Sequence, residues 1–259
     1  MASKYTFHDT IGHGNYGTCF LVTHRTEKRQ YVAKRIPVRD GIGEALAEAQ
    51  LLSKIKHPNV IAYKESFLSG DNGDGEEGGD GEDWSGDDGR KNSRKNSSRY
   101  GSPQHLCIVT AYAEEGDLFT HIKRARESHP RRYFPERQVL DWTAQIALAL
   151  DHIHGMRVMH RDLKTQNIFL GRGGVVKLGD FGISRVLERT DDFATTVAGT
   201  PYYLSPEVCQ NQPYTLKSDV WSFGCVVYEM CRYVHPATKS CSPFPPRLSP
   251  PFRAFKNIL

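Results

Sequence analysis

The chain has 259 residues, 38% of them hydrophobic, and a formal net charge of +4. That length can bury a sizeable core, no apolar run approaches the ~20 residues a membrane span needs, and the charge is too small to argue for a nucleic-acid partner. Met1-Ala2-Ser3-Lys4-Tyr5 leads into a strand pattern rather than a signal peptide, and the six cysteines contain no Cys-x-x-Cys pair. The expectation is a soluble cytoplasmic protein with reduced thiols, no membrane insertion and no nucleic acid.

The first informative element is Gly12-His13-Gly14-Asn15-Tyr16-Gly17. Glycines at this spacing let backbone amides approach phosphate oxygens with no side chain in the way. A dinucleotide site shares the spacing, but there the glycines open a helix and an acidic residue follows about 20 residues on. Here they lead into the strand Thr18-Cys19-Phe20-Leu21-Val22, a polar turn from His24 to Arg29, and a second strand containing Tyr31-Val32-Ala33-Lys34. Strand, turn, strand argues for a phosphate-covering hairpin of the kind kinases use, with Lys34 reaching the α- and β-phosphates.

Such a lysine needs an anion beside it. Residues Glu44 to Ile55 carry Leu46, Ala49, Leu51, Leu52 and Ile55 in a helical pattern that ends before His57-Pro58. Glu48 is assigned as the partner of Lys34. Glu44 competes, but a first-turn glutamate is better explained by the positive helix end. Strands are then expected at Val60–Leu68 and Leu106–Thr110, separated by an insertion, residues 69–103. Gly70 to Gly89 holds nine acidic residues and eight glycines, and Arg90 to Arg99 holds five basic residues. Apart from Trp84 it has almost nothing to bury, so it is expected to be disordered, a neutral lengthened hairpin loop or a docking element. Arg90 to Ser93 and Arg94 to Ser97 each place a serine three residues after an arginine, a pattern basophilic kinases favour, and nuclear import is a weaker reading. A helix follows from Phe134-Pro135-Glu136 to about His154, with Pro135 in its first turn and Val139, Leu140, Trp142, Ile146, Leu150 and Ile153 as its buried side. His152 and His154 are read as helix-end residues, not metal ligands.

The densest signal is His160-Arg161-Asp162-Leu163-Lys164-Thr165-Gln166-Asn167, with Asp180-Phe181-Gly182 beginning 13 residues after Asn167 and two short hydrophobic strands between. Phosphoryl transfer needs a carboxylate to orient the attacking hydroxyl, a cation for the charge on the phosphate, and oxygen ligands for Mg2+. Asp162, Lys164, and the pair Asn167 with Asp180 supply these in turn.

These stretches, with Gly199-Thr200-Pro201-Tyr202-Tyr203-Leu204-Ser205-Pro206-Glu207, resemble the NIMA-related (Nek) serine/threonine protein kinases over residues 5 to about 231. Thr165-Gln166 and Tyr202-Tyr203-Leu204-Ser205 are more particular than the general kinase pattern. The resemblance implies an α+β bilobal protein kinase fold: a small β-rich lobe and hinge over 5–113, a mainly helical large lobe over 114–231, ATP in the cleft between them, and Mg2+. It adds Ile11, Gly12, Gly14, Gly17, Cys19 and Ala33 to the nucleotide-binding set, makes Thr110 the gatekeeper, gives the adenine edge to the backbone of Ala111 and Ala113, and gives the ribose to Asp117. It makes Thr200 part of the catalytic site and gives Asp219 the task of holding the catalytic loop, with Trp221 packed beside it. Protein substrates are implied, with cell-cycle, centrosomal or ciliary roles, and an upstream kinase is expected to act on Thr195 or Thr196, whose phosphate Arg161 would meet.

After the expected helix Tyr214–Cys231 the resemblance stops. Residues Arg232 to Leu259 hold six prolines, incompatible with further helices. The large lobe is therefore expected to be truncated. That would expose Trp221, Phe223, Val226 and Val227 and leave Glu207 without its usual cation. The alternative to an active enzyme is a catalytically impaired nucleotide-binding or interaction module.

Overall fold

The computed structural model describes residues 4–14, 17–38, 49, 52–69, 104–130, 132–180 and 202–232. By contacts the chain divides into two units, residues 1–50 with 64–110 and residues 51–63 with 111–259. The first is a β-sheet and the second is mainly helical, an α+β architecture.

The sheet of the first unit takes the order β1-β2-β3-β5-β4, from β1 (Tyr5–Gly14), β2 (Gly17–His24), β3 (Gln30–Val38), β4 (Tyr63–Ser69) and β5 (Gln104–Ala111). Alternation drives it: Val22, Tyr31, Ala33, Phe67, Cys107 and Val109 point to one buried face with Tyr5. Tyr5 stacks on Phe67 at 6.3 Å between ring centroids, and its hydroxyl donates to Glu65 Oε1 at 2.6 Å. The strand expected over Val60–Leu68 begins at Tyr63 rather than Val60. Val60 instead makes an isolated bridge to Leu178 in the second unit. The helix expected over 44–55 lies mostly outside the described residues, although Ala49 and residues 52–54 are helical and Ala49 is buried. The insertion 69–103, apart from Ser69, and the tail 232–259, apart from Arg232, also lie outside them.

In the second unit, α1 (Leu118–Glu127) and α2 (Glu136–Gly155) pack on the hairpin of β6 (Ile168–Gly171) and β7 (Val175–Leu178), α4 (Leu216–Arg232) packs on α2, and α3 (Pro206–Cys209) is a single turn. Leu118, Ile122, Trp142, Ile146, Ile153, Leu163, Ile168, Leu170, Val176, Leu178 and Met230 form the core. The α2 stripe is correct at Trp142, Ile146, Leu150 and Ile153 but not at Leu140, which is 59% exposed. Each helical residue turns about 100°, so Leu140 sits a full step off the Val139, Trp142, Ile146 line. Pro135 caps this helix from just outside rather than lying in its first turn. The expected exposure on α4 is also corrected: Val226 and Val227 are buried in the core, and Phe223 packs against it. Among the described residues, no helix is long and apolar enough to cross a membrane.

Candidate active site

In the second unit, the loop between α2 and β6 gathers three of the expected residues around one carboxylate. Asp162 Oδ2 accepts from Lys164 Nζ at 2.8 Å and from Asn167 Nδ2 at 2.9 Å, and Asn167 Nδ2 also donates to the Asp162 carbonyl at 2.7 Å. A 3-10 turn, Thr165–Asn167, makes this possible by folding Asn167 back over Asp162. Two acceptors facing the Asn167 amide nitrogen fix its orientation, which turns its carbonyl oxygen to the other side. That oxygen and the exposed carboxylate of Asp180 are hard donors of the kind Mg2+ takes, so the residues fit the ion. Asp180 has φ of 51° and Arg161 φ of 66°, left-handed values uncommon for residues with a side chain.

Asp219 holds the loop from the core. Fully buried on α4, it accepts from the backbone N–H of His160 at 2.8 Å and of Arg161 at 3.0 Å, from His154 Nε2 at 2.8 Å and from the Tyr214 hydroxyl. Burial alone would raise its carboxyl pKa, but hydrogen bonds led by those from His154 and Tyr214 outweigh this and hold it below the ordinary value. His154, at the end of α2, thus has a task the sequence did not disclose.

His160 is also fully buried. Its Nε2 donates to the Gly179 carbonyl at 3.0 Å, and its Nδ1 accepts from the Asp162 N–H at 3.3 Å, an arrangement only the neutral ring can make. Burial pushes its pKa down, against the pull of Asp219 and Asp162. Gly179 closes the circuit by donating its N–H to the Asn167 carbonyl at 3.0 Å. A Cβ at Gly179 would lie 2.8 Å from Ile61 and 3.1 Å from Phe169, so a side chain ahead of Asp180 would force the Ile61 side chain to move.

Asp117 caps α1, its carboxylate accepting from Thr120 N at 2.7 Å and Thr120 Oγ1 at 3.0 Å. Its backbone bridges to Phe169, next to the catalytic loop. Ala111 donates its N–H to the Ala62 carbonyl at 2.8 Å, which occupies that donor, and Ala113 is buried. Glu207 accepts from Ser218 Oγ at 2.7 Å, and this bond leads the effects that lower its pKa.

In the first unit, Lys34 lies opposite Cys19 in the β2–β3 ladder, Ala33 is buried opposite Phe20, and Gly12 pairs with Cys19 in the β1–β2 ladder. Ile11 is 48% exposed, and Thr110 stands near the end of β5. The glycines separate by role. Gly17, at φ of 146°, has no room for a Cβ because it would overlap the Arg35 carbonyl, whereas a Cβ on Gly12 would meet nothing. Gly17 is therefore required by the close approach of β3, and Gly14 pairs with it in the β1–β2 ladder. Packing leaves Gly12 unexplained. Glu48, Phe181, Gly182, Thr195, Thr196 and Thr200 lie outside the described residues.

The protein kinase domain model matches residues 5–242. The chain is 42% identical to mouse Nek4 over 237 residues, covering 90% of the chain and 25% of that protein. Against mouse Nek1 it is 42% identical over 236 residues (90% of the chain, 16% of that protein), and against human Nek5 40% over 239 residues (90% and 28%). All three are named serine/threonine-protein kinases, and the chain spans about a quarter or less of the length of the first two. On a domain match that covers most of its length, the chain belongs to the protein kinase family, alongside the Nek kinases.

Proposed function

We propose that this chain transfers the γ-phosphoryl group of ATP, as its Mg2+ complex, to serine or threonine hydroxyls of proteins. The observation that carries the reading is the meeting of Lys164 and Asn167 on one oxygen of Asp162. A carboxylate so placed can orient an acceptor hydroxyl and take its proton, while the adjacent ammonium balances charge on the transferring group. Asn167 and Asp180 would hold Mg2+, which draws charge from the phosphates when bound. Lys34 would steady the α- and β-phosphates, with Glu48 as its anion, beneath the backbone of Gly12, Gly14 and Gly17. Lys164, two residues after Asp162, favours hydroxyls of serine and threonine over tyrosine, as do the names of the relatives. Phosphorylation of Thr195 or Thr196 by an upstream kinase is the proposed regulation. The proposed extents are a kinase domain over 5–231 and a divergent tail over 232–259, with a cytoplasmic location.

Two substitutions test the reading. Asp162→Asn is expected to abolish phosphorylation of a generic protein substrate while leaving nucleotide affinity near that of the parent. Lys34→Met is expected to abolish it through misplaced phosphates. Near-normal turnover by the Asp162 variant would remove the assignment, and nucleotide binding by the parent with no turnover would favour the impaired-module alternative.

A further inference from the structure

Two stretches of this sequence are more particular than a kinase requires, Thr165-Gln166 and Tyr202 to Ser205, and the structure joins them. Thr165 Oγ1 donates to Glu229 Oε2 at 3.1 Å and lies 3.1 Å from the Tyr203 hydroxyl, which donates to the same Glu229 oxygen. Thr165 is fully buried, and Glu229, on α4, is 5% exposed. Tyr203 is tied to α4 a second time, its carbonyl accepting from Ser222 Oγ at 2.8 Å.

Position gives the contact its meaning. Thr165 opens the 3-10 turn between Lys164 and Asn167, whose side chains both reach Asp162. Its own hydroxyl leaves that group and runs to α4. Tyr203 stands near the C-terminal end of residues 180–207, the activation segment by the kinase resemblance, which carries Thr195, Thr196 and Thr200. We propose that Thr165 is a positioning residue: through Glu229 its hydroxyl fixes the turn that carries Lys164 and Asn167 to the chain at Tyr203, so that the loop and Tyr203 move as one. The proposal rests on the kinase reading given above.

Burial drives the Glu229 carboxyl pKa up, and the hydrogen bonds from Tyr203 and Thr165 and the charge of Arg126 oppose it. A buried carboxylate is a costly filler compared with an apolar side chain of the same size. Its value lies in what it orders, two hydroxyls from separate parts of the chain on one oxygen.

The test uses the full chain with Thr165→Val, which keeps the branched shape, Thr165→Ser, which keeps the hydroxyl, Tyr203→Phe, and the Val/Phe double variant. Thr165→Val is expected to lower kcat about 10- to 100-fold with little change in the ATP KM, since loss of positioning acts on the chemical step. Thr165→Ser should return most of that rate. The double variant should be no worse than its worse single parent, because both changes break one unit. Amide hydrogen exchange over residues 162–168, read by mass spectrometry, should be faster in Thr165→Val and unchanged in Thr165→Ser. If Thr165→Val kept the parent's kcat and exchange rate, or if the two single losses multiplied, the coupling would be overturned. Should the parent itself transfer no phosphate, the kinase reading fails. The exchange arm then decides alone: faster exchange only in Thr165→Val sustains the tether, and equal exchange in all variants removes it.

Discussion

Asp219→Asn is the substitution whose cost can be worked most directly from the structure. The two oxygens of Asp219 receive four donors, the N–H of His160 and His154 Nε2 on one, the N–H of Arg161 and the Tyr214 hydroxyl on the other. Asparagine keeps one oxygen and presents an NH2 where the second stood. If the NH2 faces Tyr214, that hydroxyl can turn and accept, but Arg161 N–H loses its Asp219 acceptor. If it faces His154, the ring can accept in its other tautomer, but the buried N–H of His160 loses its acceptor. Either choice sets one backbone donor against another, and the remaining bonds no longer end on a charge. The expected loss is about 2 to 4 kcal/mol, a large part of the roughly 5 to 15 kcal/mol that holds a typical domain together. Urea unfolding should show a lower midpoint at an unchanged m value. Because the displaced amides belong to His160 and Arg161, directly before Asp162, kcat should fall about 100-fold under conditions where the variant remains folded. A variant within about 0.5 kcal/mol of the parent and with the parent's kcat would refute the claim that this carboxylate holds the loop.

The hairpin glycines should separate experimentally: Gly17→Ala is expected to lower the melting temperature, by Cβ overlap with the Arg35 carbonyl, while Gly12→Ala should leave it unchanged and weaken nucleotide binding. Equal melting temperatures for the two variants would contradict the packing argument. Stability should also fall on mild acidification. His160 and His57 both have pKa values pushed below their ordinary 6.5, chiefly by burial. The unfolded chain therefore takes up protons first, and their contribution is complete above about pH 6.5 and is lost as pH falls toward the folded values, with a slope of at most about 1.4 kcal/mol per pH unit per histidine. Glu229, raised by burial above its ordinary 4.5, works in the opposite sense, adding stability as pH falls from its folded value toward 4.5. Unfolding free energies that stay level or rise between pH 7 and 5.5 would count against this, and His160→Asn should flatten the decline.

Legibility followed sequence distance. Asp162, Lys164 and Asn167 lie within six residues of one another, so the spacing that suggests phosphoryl transfer also specifies the turn that brings the side chains together. The β2–β3 hairpin was legible for a similar reason, its turn and its alternation both being local. The link from Thr165 to Glu229 spans 64 residues and joins elements whose packing no local pattern encodes. Leu140 failed differently. An apolar residue one step from a buried stripe has the right chemistry and the wrong angle, and hydropathy alone cannot tell the two apart. For Val226 and Val227, exposure was inferred from what should follow them, yet the helices and hairpin of their own unit bury both.

The signal that would have found the hidden contacts lies on α4. Counting 100° per residue from Asp219, Ser222, Val226, Glu229 and Met230 all return to the same side of the helix, and all are buried. An ordinary core stripe would be apolar throughout, because a buried polar group costs free energy unless a partner meets it. Three polar residues in core register therefore announce three sets of donors or acceptors elsewhere in the chain. Asp219 meets the backbone of His160 and Arg161, Ser222 donates to the Tyr203 carbonyl, and Glu229 accepts from Tyr203 and Thr165. The helix is thus a polar rail set in an apolar core, fixing the catalytic loop at Asp219 and Glu229 and the activation segment at Ser222 and Glu229. A rail of this kind depends on register. A one-residue insertion between Ser222 and Glu229 would turn everything beyond it by about 100°, carrying Glu229 away from both hydroxyls while leaving Asp219 in place, and so would uncouple Tyr203 from the Thr165 turn while the bonds of Asp219 to His160 and Arg161 persist.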